Sequence, residues 1–75
     1  MNANRRSRVT KAKKLLEEAR DILEEALDEE DEYRDNIPEN LQSSERYEQS
    51  ETCSECMEGA IDDIDSAISS LEGVT

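Results

Sequence analysis

Apolar side chains recur along the first half of the chain at Val9, Ala12, Leu16, Ala19, Leu23 and Ala26, and the spacing continues through Glu30, Tyr33 and Ile37. The steps alternate three and four, which keeps one stripe of a helix facing a neighbour. Leu15, Ile22 and Leu27 flank this stripe and widen it. Neither Gly nor Pro falls between Val9 and Arg34, and Ala, Leu, Glu, Lys and Arg dominate, so intrinsic preference agrees with the pattern. A helix over 9–34 is predicted, preceded by a basic tail over 1–8.

A second stripe runs through Cys53, Met57, Ala60, Ile64, Ala67 and Leu71, with Ile61 and Ile68 beside it. It predicts a helix over 44–72. Ser43 or Ser44 suits the N-cap, and Glu45, Glu48 and Glu51 suit the positive end of the helix dipole. Gly73 stands where a left-handed residue closes a helix, with Val74 folding back on Ile68. Gly59 falls on the outer face, where it costs about 1 kcal/mol against Ala. Between the helices, Pro38 disfavours a helical Ile37 and ends the first helix by about Asn36. A turn over 35–43 follows. Pro38-Glu39-Asn40 suits one helical turn, with Ile37 and Leu41 plugging the end.

So short a connection makes the helices antiparallel neighbours. A reversal centred on Glu39 and Asn40 sets residue i opposite residue 79 − i, so that Ala12 meets Ala67, Ala19 meets Ala60 and Leu16 meets Ile64. The expected fold is all-α, a coiled-coil-like antiparallel two-helix hairpin forming one domain over 9–73. Its core and oligomer seam is drawn from Leu16, Leu23, Met57, Ile61, Ile64 and Ile68. Each helix has more apolar surface than one seam uses, and a homodimeric four-helix bundle is the simplest way to cover the rest.

Composition narrows this picture. The 75 residues include no Phe or Trp and two Tyr, and 40% are charged. Such a chain is either disordered or a long amphipathic helix, and the periodicity selects the helix. No apolar run approaches the roughly 18 residues that span a bilayer, and no apolar segment follows the basic start as in a signal peptide. A cytoplasmic location without membrane association is expected, with Cys53 and Cys56 as reduced thiols.

The formal charge of −12 is unevenly spread. Arg5, Arg6, Arg8, Lys11, Lys13 and Lys14 face no acid within the first fourteen residues, and all 21 acids lie beyond them with only Arg20, Arg34 and Arg46. Such an acidic body is repelled by nucleic acid and attracted to basic protein surfaces.

Asn36-Ile37-Pro38-Glu39-Asn40-Leu41-Gln42-Ser43-Ser44-Glu45-Arg46-Tyr47-Glu48 and Gly59-Ala60-Ile61-Asp62-Asp63-Ile64-Asp65-Ser66-Ala67-Ile68 resemble a group of small acidic proteins of bacteriophages and prophages of Gram-positive bacteria. The resemblance covers about residues 15–73. It implies a phage accessory gene and a helical hairpin, but no activity and no site residues. The basic start and the cysteine pair depart from the pattern.

Candidate chemistry is sparse. There is no His, no phosphate-binding glycine loop and no nucleophile with a base partner, so no enzyme and no cofactor is expected. Cys53-x-x-Cys56 supplies two of the four ligands a zinc site needs. The plainer reading puts Cys53 in the core as a small residue and Cys56 beside the seam. The acidic run Asp28-Glu29-Glu30-Asp31-Glu32 lacks the Gly and spacing of a calcium loop, and it opposes the dipole at the end of its helix. Breaks of a local rule can mark function. Asp28, Glu29, Asp31, Glu32, Glu48 and Glu51 are therefore the candidate face for a basic protein partner, against the plainer reading of a solubilising surface. The basic segment lacks the interleaved aromatics of a nucleic-acid site, and no direct nucleic-acid binding is expected.

Overall fold

The computed structural model describes residues 2–74. Helix α1 spans Ala3–Asp35, a single 3-10 turn spans Glu39–Leu41, and helix α2 spans Glu45–Glu72. The two helices pack antiparallel into a rod of 60 × 15 × 13 Å. Among the described residues no helix is long and apolar enough to cross a membrane.

Helix α1 starts six residues before Val9, because Asn2 caps it: its Oδ1 accepts from the Arg5 backbone N–H at 2.8 Å. One cap contributes about 1 kcal/mol, enough to hold Ala3, Asn4 and three arginines helical against an unfavourable dipole. The basic segment expected as a tail is thus the first two turns of α1. At the other end, the Asn36 amide reaches the carbonyls of Glu32 and Tyr33, and its Nδ2 donates to Glu32 at 3.0 Å. Ser44, of the two serines considered, caps α2 by accepting from Tyr47 N–H at 3.3 Å. The expected left-handed closure at Gly73 does not form. Gly73 is right-handed at φ −69°, and the Val74 N–H bonds the Leu71 carbonyl at 3.0 Å. A tightened last turn satisfies the carbonyls instead.

The register also differs from expectation. Lys13 meets Glu72, Arg20 meets Asp65 and Asp31 meets Ser54, each pair of numbers adding to 85, while Arg34 meets Ser50 at 84. The chain reverses near Gln42 because residues 36–41 run on past α1 through the 3-10 turn before turning back. Leu16 therefore lies at the level of Ile68, and Leu23 at that of Ile61, instead of the pairs a symmetric turn would give.

Half-buried and buried positions recurring in three-four steps centre the seam on Leu16, Leu23, Leu27 and Glu30 with Lys13, Arg20 and Arg34 on α1, and on Ser50, Ser54, Met57, Ile61, Ile64, Ile68 and Leu71 on α2. Leu16, Leu23, Met57 and Ile64 are half-buried there, and Ile61 and Ile68 are buried. The sequence pattern missed Lys13, Arg20 and Arg34 on α1 and Ser50 and Ser54 on α2. Of the positions it placed on the stripes, Ala12, Tyr33 and Cys53 are exposed, while Ala19, Ala26, Ala60 and Ala67 are half-buried along one side of the seam. The stems of Lys13 and Arg20 cover apolar surface while their charged heads reach acids at the edge. Burial is thin: among the described residues Ser50, Ser54, Ile61 and Ile68 alone are buried. Gly59 sits on the outer surface with open space where a side chain would be, and nothing in the structure explains it.

Candidate functional site

With the seam fixed, helical periodicity assigns every other position to a side of the hairpin. The ion pairs establish which side. Arg20 reaches across to Asp65 at 3.0 Å and lies 3.7 Å from Asp21, and Lys13 lies 3.9 Å from Glu72. On this edge α1 presents Glu17, Asp21, Glu24, Asp28, Asp31 and Asp35. From α2 come Glu48, Glu51, Glu55, Glu58, Asp62, Asp65 and Glu72. Six and seven make thirteen of the 21 acids in the chain. The opposite face carries two, Glu29 and Asp63, among Ala12, Leu15, Ala19, Ile22, Ala26, Ala60 and Ala67. Carboxylates along each helix recur every three or four residues, about 5 Å of rise.

Of the six acids anticipated as a binding face, Asp28, Asp31, Glu48 and Glu51 share this edge. Glu32 lies on the outer back of α1, and Glu29 on the apolar face. A contiguous run cannot share one side of a helix. The period-seven recurrence of Glu17, Glu24 and Asp31 with Glu51, Glu58, Asp65 and Glu72 is the signal that would have found the full edge.

The edge is anchored at the turn end by a polar network that sequence reading missed. Arg34 Nη2 donates to Asp31 at 2.8 Å, and its Nη1 donates to the Ser54 hydroxyl at 2.7 Å and to the Ser50 carbonyl at 3.2 Å. The Ser54 hydroxyl in turn donates to Asp31 at 2.8 Å. Ser50 and Ser54 are the most buried residues described, at 3% and 4% exposed. Two small hydroxyls thus fill the seam where Arg34 crosses it, and the guanidinium satisfies them.

The Ser54 hydrogen bond and then the Arg34 guanidinium hold the Asp31 carboxyl below its ordinary pKa. Hydrogen bonding to Asp31 raises Arg34, and to Asp65 raises Arg20. A depressed carboxyl stabilises the fold above its ordinary pKa and loses that contribution as pH falls through the folded value. Asp31→Asn is therefore expected to lower the melting temperature at neutral pH, by an amount that shrinks as pH drops below about 4. Repulsion among the remaining acids changes in both proteins and largely cancels in the difference. A deficit independent of pH across paired thermal melts would contradict the assignment.

Cys53 and Cys56 are exposed free thiols, so Cys53 does not fill the core position expected of it. Ser54 takes the seam beside it, one residue of helical rotation away. No group of three or more His, Cys, Asp or Glu among the described residues is arranged to hold a metal ion. Cys53→Ser with Cys56→Ser is expected to leave helix content intact and to change unfolding free energy by no more than about 0.5 kcal/mol, measured by denaturant titration. The recesses in the surface are shallow. One at the turn end is lined by Tyr33, Ile37, Pro38, Leu41 and Arg46 among others.

The fold and this edge define a class: an all-helical antiparallel hairpin with one acidic and one apolar long face. No family model, curated protein or solved structure matches the chain.

Proposed function

We propose that this chain is a cytoplasmic binding protein whose acidic edge docks on a basic-surfaced protein, in the manner of a DNA mimic, and that it performs no catalysis. The observation that carries the reading is the sorting of thirteen acids onto one long edge while the opposite face keeps two. Two carboxylate rows at about 5 Å each supply roughly one charge per 2.6 Å of axis, against about one per 1.7 Å in duplex DNA. Resemblance to small acidic phage and prophage proteins adds the biological setting, an accessory protein or inhibitor. Its target would be a host nucleic-acid-binding protein such as a defence nuclease or a regulator.

The test is competition. A host protein captured on the immobilised chain should be released by heparin or duplex DNA, and its affinity should fall steeply with ionic strength. Indifference to salt and to both polyanions would defeat the reading.

A second reading has its own support. Leu15 and Ile22 remain 55% and 67% exposed on the apolar face, as in a structural module that pairs through that face, with a homodimeric four-helix bundle as its simplest product.

A further inference from the structure

Along the apolar face of α1 the side chains read, in order, Arg5, Arg8, Ala12, Leu15, Ala19, Ile22, Ala26, Glu29 and Tyr33. These are two interleaved rows, each repeating every seven residues. The order is self-complementary when reversed. About a centre at Ala19, Leu15 exchanges with Ile22, Ala12 with Ala26, Arg8 with Glu29 and Arg5 with Tyr33.

From this we infer that the partner on this face is a second copy of the chain, with the two α1 helices antiparallel about a two-fold axis near Ala19. The proposal deepens the pairing reading, on which it rests, and is independent of the acidic edge on the opposite side.

Each feature of the face has a counterpart in that arrangement, to within about one helical turn. Large meets large at Leu15 and Ile22, the most exposed aliphatic side chains described. Small meets small at the alanines, which lets the helices approach closely. Arg8 comes beside the other copy's acidic position at 29, and Arg5 beside its aromatic ring at 33, a cation over a π-face. A parallel pair would instead set like charges together at both positions, which is destabilising. An unrelated partner would not require the stripe to mirror itself.

The extent of α1 agrees. Ala3 and Asp35 bound the helix and are themselves equidistant from residue 19, so two copies overlap over the whole helix, about 50 Å. Residues 3–11 project beyond the level of Glu72, the last residue of α2, by the observed register. In the dimer that projecting stretch lies along the other copy's turn end instead of standing alone.

Sedimentation equilibrium on the full chain tests this, with circular dichroism as the check on folding. Wild type should be dimeric at tens of micromolar. Ile22→Asp should give a helical monomer, since Ile22 lies outside the hairpin's own seam. Arg8→Glu and Glu29→Arg should each weaken the dimer several-fold at low salt. An equimolar mixture of those two variants should recover near wild-type affinity, because each hetero-pair restores both opposite-charge contacts. Should Ile22→Asp unfold, the charge variants alone decide. A wild-type monomer at these concentrations would overturn the pairing reading and the proposal together. A dimer indifferent to both charge variants, or unimproved by mixing them, would leave the pairing reading standing and overturn the antiparallel arrangement.

Discussion

Conversion of Asp28, Glu51, Glu55 and Glu58 together to their amides is expected to weaken partner binding at least severalfold while leaving the hairpin folded. All four are exposed on the acidic edge and none belongs to the Asp31–Arg34 network. Exposed ion pairs contribute about 0.2 to 1 kcal/mol each, so four lost contacts amount to roughly 1 to 4 kcal/mol of binding. The fold should tolerate the change and even gain slightly, because Asp28 opposes the dipole near the end of α1. A matched control separates the edge from bulk charge. Glu18, Glu25, Glu32 and Glu45 project from the outer backs of the helices, and their amides change net charge from −12 by the same amount. Titration calorimetry against the captured partner should show the control set binding nearly as wild type. Equal losses in both sets would mean that only overall charge matters, and the edge would lose its assignment.

Arg34→Met should destabilise the protein by about 2 to 3 kcal/mol, a large part of the stability of a chain this small. The substitution keeps a long apolar stem in the seam but takes the guanidinium from the buried Ser50 hydroxyl and carbonyl and leaves the Ser54 hydroxyl with Asp31 alone. It also leaves Asp31 without its guanidinium. Arg34→Lys should rescue only part of the loss, because a single ammonium cannot span the fork from Asp31 to Ser54 and the Ser50 carbonyl. Adding Ser50→Ala to Arg34→Met should recover part of it, since the stranded hydroxyl goes with its partner while Ser54 keeps its bond to Asp31. Denaturant unfolding followed by circular dichroism measures all four proteins. If Arg34→Met were neutral, the network would be a surface arrangement with no hold on the seam.

These residues also show why part of the molecule was legible in its sequence and part was not. Val9, Leu16 and Leu23 marked one row of the α1 seam, and Pro38 and Ser44 marked the break between the helices. The partner row was ambiguous because alanine looks apolar and arginine polar. Ala12 is exposed where Lys13 is half-buried, and Ala19 and Ala26 share the seam's margin with Arg20 and Leu27, whose longer side chains cover more of the gap between the helices. The same ambiguity on α2 hid Ser50 and Ser54, since a serine is seam material only when a guanidinium arrives to satisfy it. The register was misjudged because a turn centred by symmetry takes no account of the six residues that continue along the rod before the chain reverses. Four of the six anticipated acids, Asp28, Asp31, Glu48 and Glu51, lay within reach of sequence reasoning. The edge as a whole needed the seam, because its members come from two helices and recur every seven residues instead of adjoining.

Distance gives the uneven charge a meaning that the net value conceals. The rod is 60 Å long, several times the screening length of about 8 Å in physiological salt. Its arginine-rich beginning and its carboxylate-rich turn are therefore electrically invisible to each other. A molecule approaching the turn end of a single copy meets a polyanion, and one approaching its arginine-rich tip meets a polycation, so each copy carries two oppositely charged ends on a common axle.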